Sequence, residues 1–344
     1  MPGEPLSSLS QLLASLASLR LRPDYRILMG IQEEKLVEKI SEIHDSISKL
    51  PSLTPCKEVN TLFTELVLTC IPPNPIDVSK LSEGVQEMRS KLIQLCGEAE
   101  GLLESHYSDT LANTYDNPMD HLDLFPYYSN YLQLSLLEYT LLARHATSPP
   151  ARVAFVGSGP LPLSSLVLAA RHMRAARFHN YDVDPSATAR ARRLVRADPD
   201  LGARMAFRTA DLFGLTRELA CHDVVFLAAL VGVAREEKLR AVEHLARHMA
   251  SGAYLVLRSA HGARAFLYPV VEPGDLKGFE VLSVYHPSDE VINSVIIARK
   301  LPHGGVGTGA VMRTCKRCEM MQGINNHLVH GAMMEEMALE EMPS

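Results

Sequence analysis

Apolar positions in the first part of the chain recur at helical spacing. Leu36, Ile40, Ile43 and Ile47 fall at steps of four, three and four, which is one face of an amphipathic helix. After a loop bracketed by Pro51 and Pro55, Val59, Leu62, Phe63, Leu66, Val67 and Cys70 follow the same period. Pro72, Pro73 and Pro75 end that helix, because proline lacks an amide hydrogen and its ring clashes with the preceding turn. Asp77 is placed to cap the next helix. Val78, Leu81, Val85, Met88, Leu92, Leu95 and Ala99 carry it to about Tyr107. Phe125-Pro126 introduces a last helix over 127–144, whose stretch 131–142 is apolar all round and predicts burial.

Beyond a linker at 147–150 the pattern changes to short apolar runs alternating with helices. Strands are predicted at 152–156, 177–181, 205–208, 223–229 and 254–258. Helices are predicted at 164–174, from Asp184-Pro185 onward, and at 235–249. Runs at 281–285 and 291–298 read as an antiparallel pair. This alternation predicts an α/β fold, a mostly parallel sheet with helices on both faces. The expected division is an extension (1–28), an N-terminal helical lid domain (29–146), a Rossmann-like domain (151–300) and a disordered tail (301–344).

Gly157-Ser158-Gly159-Pro160 follows the first predicted strand and precedes a helix. Glycines there allow a tight turn and close backbone approach to a ligand. The third glycine position of a dinucleotide fingerprint holds Pro162, which disfavours NAD. Asp182 ends the second strand, where a carboxylate can accept bonds from both ribose hydroxyls. Asp211 follows the third and can accept from an adenine amino group. In this order the three features match the nucleoside site of a Rossmann-like S-adenosylmethionine-dependent transferase. Leu212 beside Asp211, and Ala228, Ala229 and Leu230 after the fourth strand, complete the predicted donor site. Taken singly, either aspartate could instead be a turn or cap residue.

Several long segments resemble one family. They are Leu95-Cys96-Gly97-Glu98-Ala99-Glu100-Gly101, Phe125-Pro126-Tyr127-Tyr128-Ser129-Asn130-Tyr131, the glycine turn through Pro162, Asn180-Tyr181-Asp182-Val183-Asp184-Pro185, Phe226-Leu227-Ala228-Ala229-Leu230-Val231-Gly232 and Arg258-Ser259-Ala260-His261-Gly262-Ala263-Arg264. From about Gln32 to Lys300 the chain resembles nicotianamine synthases of the plant type. The resemblance implies that three S-adenosylmethionines donate aminocarboxypropyl groups, giving nicotianamine and three methylthioadenosines. S-adenosylmethionine is then the substrate, with no separate cofactor and no metal in the enzyme, and with a role in metal and iron homeostasis in plants.

Such a transfer needs an unprotonated α-amine and a group to take its proton. Glu100 and Glu104 lie one turn apart on one helical face, and Tyr127 and Tyr131 have the same spacing. These four are the candidate catalytic residues, although glutamates on helices are usually solvated and tyrosines at this spacing usually core. Arg258 and His261 follow the fifth strand and are candidates for a substrate carboxylate; a packing role competes for both. An ordinary methyltransferase, a polyamine-type aminopropyltransferase and a non-catalytic nucleoside-binding scaffold stay open as rivals.

Composition narrows the remaining choices. A net charge of −6 argues against a nucleic-acid partner. Cys56, Cys70, Cys96 and Cys221 are scattered through patterned segments, which fits a reduced, cytoplasmic protein better than a disulfide scaffold. No apolar run reaches the roughly 20 residues of a membrane span. Residues 6–22 are rich in Leu, Ser and Ala, carry Arg20 and Arg22 and contain no acid, so organellar targeting stays open beside an extension without function. Tyr131-Leu132-Gln133-Leu134 and Leu136-Leu137 have the form of vesicle-sorting signals, but their predicted burial argues against that use. Cys315 and Cys318, even with His327 and His330, sit in a tail without an evident core and are not read as a zinc site. The state of oligomerisation is left open.

Overall fold

A computed structural model describes residues 23–74 and 76–302 of the chain. The readings of residues 1–22 and of the tail from 303 lie outside the described residues.

The helical part is built as the periodicity requires, with shifted ends. Helix α1 (Pro23–Ile47) buries Ile40, Ile43 and Ile47. It begins at Pro23 and so takes in residues that the sequence reading assigned to an extension ending at 28. Helix α2 (Lys57–Cys70) buries Val59, Leu66 and Cys70, the last two in the same cluster. Asp77 caps only a short turn, Val78–Lys80, by accepting from Ser79 N at 3.1 Å. Leu81 is extended and breaks the run, so the long helix α3 starts later, at Glu83, and continues to Thr114.

Helix α3 has 32 residues and therefore spans about 48 Å. Leu92 packs in the helical cluster, whereas Leu111 packs in the cluster that backs the sheet. Near its far end Asp109 pairs with Arg190 Nε at 2.9 Å and Arg193 Nη2 at 2.8 Å. One rod thus joins the two halves, and its middle carries Glu100 and Glu104. Helix α4 (Tyr128–Ala143) buries Asn130, Leu134, Ser135, Glu138, Leu141 and Leu142. The expected burial all round does not hold: Leu136 is 53% exposed.

The sheet has seven strands in the order β3-β2-β1-β4-β5-β7-β6. Strands β1 (Arg152–Val156), β2 (Arg177–Asp182), β3 (Met205–Thr209), β4 (Val224–Leu227) and β5 (Tyr254–Ser259) run parallel. Strands β6 (Phe279–Tyr285) and β7 (Ser294–Lys300) are antiparallel, with β7 inserted between β5 and β6. Burial on both faces explains why β1 and β4 read as continuous apolar runs. Strand β7 begins three residues later than the predicted run. Asp289 turns the chain by accepting from Val291 N at 3.1 Å, and Val291 and Ile292 pack into two different clusters. The predicted helix at 164–174 is shorter and widens: α5 (Leu163–Val167) passes into a π-type turn over Leu168–His172. Asp184 caps α6 (Pro185–Val195) by accepting from Ser186 N at 2.7 Å. After the short helix α7 (Pro199–Arg204) and strand β4, α8 (Arg235–His248) completes the helices. The strand order reverses between β1 and β4, and in such sheets ligands bind outside the strand ends at that point.

Candidate active site

At this reversal, the turn after β1 has two glycines in the left-handed region, Gly157 (φ 78°) and Gly159 (φ 69°). Both are also close-packed. A Cβ on Gly157 would collide with Val231, and one on Gly159 with the carboxylate of Glu104. The turn is tied to β2 through backbone bonds from Gly157 N (2.8 Å) and Ser158 N (3.1 Å) to Tyr181 O. Asp182 accepts from Gly159 N at 2.8 Å and from Asp184 N at 3.0 Å. Its carboxylate therefore holds the turn in shape while lining the cavity above it. Asp211 accepts from Phe213 N at 3.0 Å as the cap of a short turn, and also lines that cavity. The cap and ligand readings of this residue are compatible, since a carboxylate has more acceptor sites than one amide uses.

The opposite wall comes from the loop after β4. Ala228, Ala229, Leu230 and Val231 line the cavity, and Leu230 lies against Gly97 of α3. Two residues of α8 hold this loop. Glu237 accepts from Val233 N at 3.2 Å and Ala234 N at 3.3 Å. Lys238 is fully buried, and its Nζ donates to Ala229 O at 2.7 Å and Ala228 O at 3.3 Å. Burial lowers the Lys238 ammonium to about 7.

Above the turn, α3 and α4 meet in a cluster of acids and phenols. Tyr131 Oη lies 3.1 Å from Glu100 Oε1 and 3.3 Å from Glu104 Oε1. Tyr268 Oη donates to Glu100 Oε2 at 3.1 Å. A phenol carries one proton, so Tyr131 can donate to only one carboxylate at a time. The other contact is satisfied when that glutamate is protonated and donates to the phenol oxygen. Burial drives the Glu104 carboxyl well above the usual range, and the charges of Glu100 and Asp182 add to it. Burial also raises Glu100, but hydrogen bonds from Tyr268 and Tyr131 and the charge of Arg258 hold it back. Tyr131 thus bridges two buried carboxyls that are both held above the ordinary range, Glu104 the further of the two.

This cluster separates two cavities. The larger, about 850 Å³, is lined by the glycine turn, Asp182, Asp211, Leu212, Ala228, Ala229, Leu230 and Glu104. The smaller, about 110 Å³, is lined by apolar residues of α2, α3 and α4 with Tyr127 and Asn130. Glu100, Tyr131, Tyr268 and Asn293 line both.

Of the predicted site residues, Gly157, Ser158, Gly159, Pro160, Asp182, Asp211, Leu212, Ala228, Ala229, Leu230, Glu100, Glu104, Tyr131 and Arg258 gather around the larger cavity. Tyr127 faces only the smaller one. Arg258 is 7% exposed; its Nε and Nη2 donate to Glu138 (2.7 and 3.0 Å), and Nη2 also donates to Ser164 Oγ (2.6 Å). It meets the cavity as half of an ion pair, the packing role that competed with substrate binding in the sequence reading. His261 lies apart: it is exposed, lines neither cavity and stacks on His286 with ring centroids 4.2 Å apart. Tyr268 and Asn293 were missed: Tyr268 stands in a loop with no periodic signal, and Asn293 fell within the predicted strand at 291–298. Among the described residues no cluster of three metal-ligating side chains occurs, and no helix is long and apolar enough to cross a membrane.

Comparison with known proteins gives this geometry a family. Solved structures of MtNAS, one of them in complex with MTA and tNA, share the fold with a TM-score of 0.64. That match is 24% identical and covers 79% of this chain and 99% of the other. Nicotianamine synthase 3 of Oryza sativa subsp. indica is 61% identical over 326 residues, 90% of this chain and 93% of its own. The nicotianamine synthase of Solanum lycopersicum is 58% identical, over 89% of this chain and 98% of its own. Residues 30–304 match the family described as nicotianamine synthase protein, and the chain belongs to that family.

Proposed function

We propose that this chain makes nicotianamine from three S-adenosylmethionines, releasing three methylthioadenosines. The observation that carries the reading is the chain of Glu104, Tyr131, Glu100 and Tyr268, which stands directly over the glycine turn and divides the two cavities. In each transfer an α-amine attacks the carbon γ to the donor carboxylate. A C–N bond forms, the C–S bond breaks, and its electron pair leaves with sulfur as neutral methylthioadenosine. The new ammonium loses one proton. Glu100 and Glu104 hold the amine and accept that proton, and Tyr131 passes it between them. Holding amine and donor carbon in line lowers the barrier by up to roughly 7–11 kcal/mol. A cluster of acids and phenols suits a reaction whose nucleophile and leaving group both begin next to positive charge.

In this reading the larger cavity takes the donor, with Asp182 on the ribose and Asp211 on the adenine. Purified protein supplied only with S-adenosylmethionine should accumulate nicotianamine and methylthioadenosine. Mass spectrometry finding S-adenosylhomocysteine and no nicotianamine would replace the reading with methyl transfer, and binding without turnover would leave a scaffold. Activity only with decarboxylated S-adenosylmethionine and a diamine would point to aminopropyl transfer.

Asp182→Ala should weaken S-adenosylmethionine binding by roughly 1.5–3 kcal/mol, the worth of hydrogen bonds to a charged group. Calorimetry reads this directly. Unchanged affinity would remove Asp182 from the donor site.

A further inference from the structure

Asn293 is 6% exposed and stands on the chain just before β7, yet its Nδ2 finds no hydrogen-bond partner among the described residues. An unsatisfied buried donor costs free energy, and native structures hold few of them. The position is not loosely held. Arg264 donates to the carbonyls of Pro287 and Asp289, and Asn130 Nδ2 donates to Glu290 O at 2.7 Å. Asp289 turns the backbone, and Val291 and Ile292 are buried on the way to Asn293. The loop therefore delivers an unpaired amide to the wall shared by the two cavities.

We propose that Asn293 binds the carboxylate of the aminocarboxypropyl arm where it reaches from the donor cavity toward the acceptor; the proposal rests on the S-adenosylmethionine reading above. An NH₂ group only donates, so its partner must be an acceptor. The other members of the shared wall, Glu100, Tyr131 and Tyr268, suit the amine end of an amino acid. None of the three arginines that line the larger cavity reaches the wall it shares with the smaller one. Arg258 is paired with Glu138, Arg190 with Asp109, and Arg240 is exposed on α8. A carboxylate entering this junction thus meets Asn293 as a buried donor with nothing else to satisfy.

The test exploits methylthioadenosine, which has the nucleoside and sulfur but no amino-acid arm. Calorimetry on the full chain would compare its binding with that of S-adenosylmethionine. Asn293→Leu should weaken S-adenosylmethionine about 10- to 100-fold and leave methylthioadenosine within about twofold. Asn293→Asp should weaken S-adenosylmethionine further, because two carboxylates then face each other. Asn293→Ala, smaller than asparagine, serves where leucine disturbs packing. Equal losses for both ligands in all variants, no loss for either, or tighter S-adenosylmethionine binding by the aspartate variant would each overturn the proposal. Wild-type protein that binds neither ligand would overturn the synthase reading as well, whereas wild-type turnover with unaffected variants overturns only this assignment.

Discussion

Glu104→Gln should lower the turnover number by roughly 10²–10⁴-fold, the usual worth of a positioned proton acceptor. Methylthioadenosine affinity should hardly change, since the replacement is nearly isosteric and Asp182 and the β4 loop keep their bonds. The pH profile makes the prediction specific. To accept a proton the cluster must be ionised, so activity rises with pH as its carboxyls lose their protons. Burial holds those carboxyls above the ordinary range, so the acid limb should lie above that of an exposed glutamate. Two further variants should move it in opposite directions. Glu100→Gln removes a like charge that raises Glu104, so the limb should fall to lower pH. Tyr131→Phe removes a hydrogen bond that lowers both glutamates, so the limb should climb. Initial rates across pH, with nicotianamine quantified by mass spectrometry, would check all three. If the Glu104→Gln variant retained half of wild-type turnover, Glu104 would have no part in the chemistry.

What could be read from the chain beforehand follows from the range of the interactions. Local rules found the glycine turn, Asp182 at a strand end and Asp184-Pro185 at a helix start, because each depends on a few adjacent residues. Glu100, Glu104 and Tyr131 were reachable from helical spacing alone, although spacing could not say that all three share hydrogen bonds. Tyr268 was out of reach. It meets Glu100 only because its loop packs against the segment after α2, where Gly262, in the left-handed region, comes so close to Asn74 that a Cβ would strike its carbonyl. Asn293 was hidden inside a predicted strand, which an aspartate turn and two buried side chains delay by three residues. One signal was present and went unused. Glu138 interrupts an otherwise apolar stretch, and a buried acid needs a partner. Arg258, near the end of the fifth strand, is that partner, and pairing the two in advance would have explained the burial of both.

That pair sets the second large effect: Glu138→Leu alone should destabilise the fold by about 3–5 kcal/mol. The Glu138 side chain is fully buried and that of Arg258 is 8% exposed, so removal of either leaves an uncompensated charge in a dry interior. Burial works against the guanidinium, and chiefly the Glu138 carboxylate keeps Arg258 above its usual range. Arg258→Met should cost a similar amount for the opposite charge. The double variant, Glu138→Leu with Arg258→Met, removes both charges and should regain much of the loss, because apolar replacements of buried pairs are often neutral or stabilising. Denaturant unfolding of the four proteins gives the coupling as a double-mutant cycle. The double variant also separates stability from chemistry. Arg258 stands 5.6 Å from the centre of the Phe155 ring and donates to Ser164, so it braces the end of β1 against α4 and α5. A double variant that folds and turns over normally would make the pair a brace alone. One that folds, binds methylthioadenosine and yet loses turnover would mean that the guanidinium charge, which also restrains Glu100, is needed to keep that carboxylate ionised for the incoming amine.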